Sequence, residues 1–157
     1  YIYTKNQGGN VFDFTTGVFG NDDYYNHYVY TQGWSYRGRG FGNSIISPRT
    51  WNREEVPGRY TNFTSSNRLT AIHLGAEVLY KQYTLTLKGT FANHFGTYYN
   101  PFTSTIKQSM LFAKLERPIS IWNKSLLSIS LAADFGKLYR QNSAVMIGWR
   151  KNGFLGK

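Results

Sequence analysis

Cysteine is absent from this chain of 157 residues, so it can form neither a disulfide framework nor a thiolate metal site. Acid is scarce as well: eight Asp and Glu stand against 18 Lys and Arg, a net charge of +10. That surplus favours anionic partners, such as nucleic acid, acidic polysaccharide or lipid phosphate, and says nothing about fold. No apolar run approaches the roughly 18 residues of a membrane helix, and no long stretch keeps a helical period. The chain opens on Tyr1 with neither an initiator Met nor a signal peptide, as a mature or truncated fragment would. A mean hydropathy of -0.45 reads as soluble. A membrane β-barrel averages to a similarly mild value, because its strands alternate apolar and polar residues.

What the sequence has in quantity is alternation. Tyr83, Leu85, Leu87, Gly89, Phe91, Asn93 and Phe95 share one face, with Thr84, Thr86, Lys88, Thr90, Ala92 and His94 opposite. The same period of two runs through Ile72, Leu74, Ala76, Val78 and Tyr80, through Leu127, Ile129, Leu131, Ala133 and Phe135, and through Val145, Ile147 and Trp149. Lys107 to Arg117 repeats it more weakly. These patterns predict strands with one apolar face. Tyr1 to Lys5, Val11 to Thr15 and Tyr28 to Arg37 are further candidates. The connections alternate in length: Lys81-Gln82 short, Gly96 to Ile106 long, Ile121 to Lys124 short, Gly136 to Asn142 longer. Such alternation marks an up-and-down antiparallel sheet with unlike ends. Asn43 to Asn67, holding Pro48 and Pro57, reads as a long ordered loop.

Three details favour a membrane barrel over a soluble one. The strands exceed the usual five or six residues. Their polar faces carry Thr, Ser, Ala and Gly rather than the Lys and Glu of a soluble surface. Tyr80, Tyr83, Trp122 and Trp149 gather at the short-turn ends, with Phe95, Phe135 and Tyr139 at the others, as interfacial girdles do. The expected fold is therefore all-β: an antiparallel up-and-down transmembrane β-barrel, or a large fragment of one. It occupies residues 1–157 as a single outer-membrane domain.

One stretch, Asn26 to Ile45, crowds tyrosines, a tryptophan, arginines and glycines together. Arg39-Gly40-Phe41-Gly42 overlays the start of an RNA-binding signature, but Asn43 and Ile46 stand where stacking aromatics are needed, and the two helices of that fold are missing. Gly38, Gly40 and Gly42 do not make a dinucleotide fingerprint. With a barrel in view, Asn26-His27, Tyr30, Gly33-Trp34-Ser35-Tyr36-Arg37-Gly38 and Gly42-Asn43 resemble a segment of the Wzi-type capsule assembly proteins, in their Bacteroidetes-like form. The resemblance implies a Gram-negative outer-membrane barrel that attaches or assembles capsular polysaccharide at the cell surface, with no enzyme activity and no cofactor, and makes residues 1–157 the C-terminal part of that longer barrel.

Sugar rings stack on Trp and Tyr, and acidic sugars pair with Arg. Trp34, Tyr36, Arg37, Arg39, Trp51, Arg53, Tyr98 and Tyr99 supply both chemistries and form the expected polysaccharide site. Expected partners are capsular or other surface polysaccharide, outer-membrane lipid and lipopolysaccharide, and not nucleic acid. The alternative is a general porin or structural barrel, in which these residues line girdle and lumen. A barrel phospholipase would need a His and a Ser together on the lipid side. His73 and His94 lie on the polar faces instead and read as lumen residues. No carboxylate or Cys stands at metal spacing from His73. Glu77 and Lys88, flanking one short turn, are expected to pair in the lumen.

Overall fold

The computed structural model describes residues 1–6, 23, 25–26, 29–119 and 125–151. Among these the fold is all-β, with no α-helix. The strands are β1 (Ile2–Tyr3), β2 (Ser35–Tyr36), β3 (Arg39–Gly40), β4 (Leu69–Tyr80), β5 (Tyr83–Gly96), β6 (Pro101–Ile119), β7 (Ser125–Gly136) and β8 (Ser143–Lys151). A single 3-10 turn spans Arg49–Trp51. Six strands form one antiparallel sheet in the order β1-β4-β5-β6-β7-β8, and β2 pairs with β3 apart from it. Among the described residues β1 and β8 are the outer strands, and no pairing joins them. Register between the last two strands sets Ile129 opposite Ile147 and Leu127 opposite Trp149, so apolar residues share a face across the pair.

The tight connection at Lys81-Gln82 forms as the alternation predicts. Lys81 takes a φ of 54°, the left-handed conformation that such a turn requires. The long loop expected from Gly96 to Ile106 is shorter, because β6 already starts at Pro101. A proline at the first position of a strand costs no ladder bond. Gly96, at a φ of 82°, turns the chain back, and the Thr97 N–H donates to the Asn100 carbonyl at 3.2 Å. The strand expected from Tyr28 to Arg37 shrinks to Ser35–Tyr36. Gly33, with a φ of 54°, and Arg37, with a φ of 50°, break the extended run on either side. Val11 to Thr15 and the turn from Ile121 to Lys124 lie outside the described residues, as do His27, Tyr28 and Trp122.

The chain divides into two compact units. The first gathers Tyr1–Ile72, Phe91–Gln108 and Gly136–Arg140. Its core mixes Ile45, Ile46, Phe63, Leu69, Leu138 and Tyr139 with buried Thr64, Ser66, Asn67, His94 and Gln108. Buried polar groups need partners, and here several find them in backbone. The Gln108 Oε1 accepts the N–H groups of Leu138 and Tyr139 at 3.2 and 3.3 Å. The Tyr139 hydroxyl donates to the Ile45 carbonyl at 2.9 Å. Asn43 to Asn67 is thus an ordered loop, tied down by its own buried residues.

The second unit comprises His73–Thr90, Ser109–Phe135 and Gln141–Lys157. It is nearly all sheet. Its apolar face is uncovered: Leu74 is 61% exposed, Leu131 51%, Val145 69% and Ile147 73%. On the opposite face, the His73 Nδ1 lies 2.6 Å from the Thr90 hydroxyl. Lys114 pairs with Glu116 at 2.9 Å. The expected Glu77–Lys88 pair does not form. Glu77 instead accepts from the Thr86 hydroxyl at 3.4 Å, because the turn at Lys81-Gln82 sets Thr86, not Lys88, opposite Glu77.

Candidate binding surfaces

All eight residues expected to hold polysaccharide fall in the first unit. Four of them share the hairpin of β2 and β3, where Ser35 pairs with Gly40 and Tyr36 with Arg39. The Phe41 N–H donates to the Trp34 carbonyl at 3.1 Å and closes the ladder. Trp34 and Tyr36 are both 60% exposed. The Arg37 guanidinium stands 5.2 Å from the Tyr36 ring centre, and the Phe41 ring lies 6.3 Å away on a 31° tilt. The hairpin therefore presents an aromatic surface with a cation over it. The glycines hold it close to its support. A Cβ on Gly40 would meet the Phe63 ring at 3.3 Å, and one on Gly33 would run into the Tyr25 carbonyl.

The other four are dispersed over neighbouring loops. Trp51 closes the 3-10 turn with its ring half exposed. Arg53 serves the unit's own packing, since its Nε donates to the Tyr139 carbonyl at 3.0 Å. Tyr98 is half-buried beneath the Arg68 guanidinium, 4.4 Å from its ring centre, while Tyr99 is exposed. The Arg68 Nε also donates to the Lys5 carbonyl at 2.8 Å. Arg68 was not expected at the site. Thirty positions separate it from Tyr98, and only the β5 turnaround brings the two together. Phe41, which in the sequence stands out only within an RNA signature, joins the aromatic surface of the hairpin beside Tyr36.

Asn26, the first residue of the stretch that carries the family resemblance, is structural. Its Nδ2 donates to the Thr64 carbonyl at 3.1 Å, and its Oδ1 accepts the Thr64 N–H at 2.9 Å. Asp23 accepts from the side chains of Asn26 and Asn67. Burial pushes the Asp23 carboxyl above its usual range, and the amide hydrogen bonds only partly oppose this. His94 is buried against Ser66 and Tyr139, with its Nδ1 3.2 Å from the Ser66 hydroxyl, and so does not line a wet lumen. Among the described residues no cluster of His, Asp and Glu could hold a metal.

In the second unit the uncovered face of the sheet bears a groove of about 490 Å³. Leu74, Leu87, Leu111 and Leu131 line it, with the smaller Ala76, Gly89, Ala113 and Ala133 between them. Cations meet aromatics at the strand ends. Lys81 lies 5.3 Å from the Tyr80 ring centre and Arg117 5.2 Å from that of Tyr83. In the first unit, Lys5 lies 4.7 Å from the ring centre of Phe95, near the far end of β5. No protein-family model, curated protein or solved structure matches the chain.

Proposed function

We propose that this chain is wall and surface loop of a Gram-negative outer-membrane β-barrel that attaches or assembles capsular or other surface polysaccharide. The observation that carries the membrane part is the uncovered face. From Leu85 to Phe91 on β5, Leu111 to Leu115 on β6 and Leu127 to Phe135 on β7, that face holds no charge. Its large side chains stay in the open. In water, so broad an apolar surface would drive association. In hydrocarbon it is at home. Tyr83 and Phe95 bound the apolar run of β5, each with a cation over its ring. The twelve steps of strand from one to the other, tilted by about 40°, cover about 30 Å, the thickness of a bilayer core. Aromatic rings with Lys and Arg beside them suit the level of the lipid headgroups.

The polysaccharide part is supported by the β2–β3 hairpin. Trp34, Tyr36 and Phe41 offer flat apolar faces to sugar rings, and Arg37 and Arg39 offer guanidinium groups to acidic sugars. Trp51, Tyr98 and Tyr99 extend the same chemistry over neighbouring loops. The test is a double substitution, Trp34→Ala with Arg37→Ala, in the cell that makes the protein. Both side chains are exposed, so barrel abundance and gel mobility should be unchanged. Capsular polysaccharide should pass from the cell surface into the medium. Retained surface polysaccharide with normal barrel levels would overturn the site and leave a structural or diffusive barrel as the reading.

A further inference from the structure

We propose that Lys5 and Arg68 form a site for the phosphate group of an anionic lipid, at the end of β5 that Phe95 marks. Tyr3 pairs with Thr70. The Thr4 N–H donates to the Leu69 carbonyl at 2.8 Å and carries that register one step further, so the next step sets Lys5 beside Arg68. The Phe95 N–H in turn donates to the Arg68 carbonyl at 2.9 Å. Lys5, Arg68 and Phe95 therefore make one row across three neighbouring segments, all within the first unit. Alternation puts this row on the side that carries Tyr3, Ile72 and Phe91, each of them exposed. The Arg68 guanidinium is held in place twice. Its Nε donates to the Lys5 carbonyl at 2.8 Å, and its carbon stands 4.4 Å from the Tyr98 ring centre. The Lys5 ammonium lies 4.7 Å from the Phe95 ring centre.

Like charges directly opposite one another on one face of a sheet are destabilising. Here nothing offsets them: among the described residues, neither Lys5 nor Arg68 pairs with a carboxylate. Asp23, which reaches Asn67 next to Arg68, spends its oxygens on the amides of Asn26 and Asn67. Two cations fixed side by side without an acid suit a ligand of high negative charge. A phosphate monoester brings nearly two charges and three acceptor oxygens, enough to serve both groups at once. The surroundings select a lipid over a sugar acid. The row closes the apolar run of β5, and Phe91, Ile72 and Tyr3 on the same side offer apolar surface to an acyl chain. The lipid as source of the phosphate rests on the bilayer reading proposed above; the anion site itself rests on the register and the unpaired cations.

The test titrates the full chain, in uncharged detergent, with dihexanoyl phosphatidic acid, inorganic phosphate and oligogalacturonate, followed by calorimetry. Phosphatidic acid should bind about tenfold or more tighter than inorganic phosphate, because its chains add apolar contact. Lys5→Gln with Arg68→Gln should weaken it by about tenfold or more. Lys5→Glu alone should do the same, and it leaves the fold intact, because that side chain is exposed and meets only a ring. Arg59→Gln with Lys137→Gln, which removes equal charge from exposed positions of the same unit, should change nothing. Binding that is absent, or equal in all these variants, overturns the site. Inorganic phosphate bound as tightly as phosphatidic acid overturns the lipid as its source. Oligogalacturonate bound more tightly, and lost in Lys5→Glu, gives the site to the polysaccharide instead and overturns the proposal. A chain that fails to insert into vesicles while still binding phosphatidic acid through Lys5 and Arg68 contradicts the bilayer reading and upholds the site.

Discussion

Asn26 closes a ring of two hydrogen bonds with the backbone of Thr64 and reaches Asp23 as well. Its amide stands in for a strand residue where no strand runs, so Asn26→Ala should cost about 1–3 kcal/mol in denaturant unfolding, from two stranded backbone groups. Asp23 beside it carries a pH signature. Its carboxyl holds its proton more tightly in the folded chain than at its ordinary value of 3.8. The folded state therefore binds the more protons in that range, and stability falls as pH rises from 3.8 through the raised value. Asp23→Asn should flatten this part of the stability–pH curve, as urea midpoints between pH 3 and 7 would show. An unchanged slope would mean that Asp23 is not the group responsible. None of this was legible in the sequence. Their other partners, Thr64 and Asn67, lie 38 and 44 positions away, and residue type alone does not separate a structural amide from one that meets a ligand.

At the scale of elements, the alternation located most of the sheet, because one face of each long strand is apolar and a period of two leaves little choice of register. It misjudged places where backbone conformation decides. Gly33 and Arg37 turn the chain out of the strand expected at Tyr28 to Arg37, and Pro101 begins β6 inside the expected loop. At Gly136 the connection begins where the alternation puts it, and there too backbone conformation decides. Its φ of 147° is open only to glycine, and a Cβ there would stand 2.5 Å from both the Gln108 Oε1 and the Lys107 carbonyl. Gly136→Ala should cost about 1–3 kcal/mol and loosen the Gln108 bonds to Leu138 and Tyr139, seen as faster exchange of those two amides. The faces of the strands make a sharper claim. Leu87→Arg or Ile129→Arg should each cost about 2–4 kcal/mol of assembly in a bilayer. Thr86→Arg and Ala132→Arg, on the other face, should be much milder in a heat-modifiability gel. Equal cost on both faces would contradict the assignment of lipid and water.

For the whole molecule, the candidate site was legible in part. Residue chemistry selected Trp34, Tyr36, Arg37 and Arg39, which do share one exposed hairpin. It could not foresee that Arg53 braces Tyr139 or that Arg68 covers Tyr98, since both contacts depend on how distant segments meet. The central claim is that the uncovered face of the sheet meets lipid. Spin labels at Leu87, Leu111 and Ile129, and at Thr86, Lys88 and Ala132, test it in bilayers holding the full-length protein. The first three labels should collide with dissolved oxygen and be shielded from a water-soluble nickel chelate, and the second three should do the reverse. Equal access of the chelate to both sets would contradict the account.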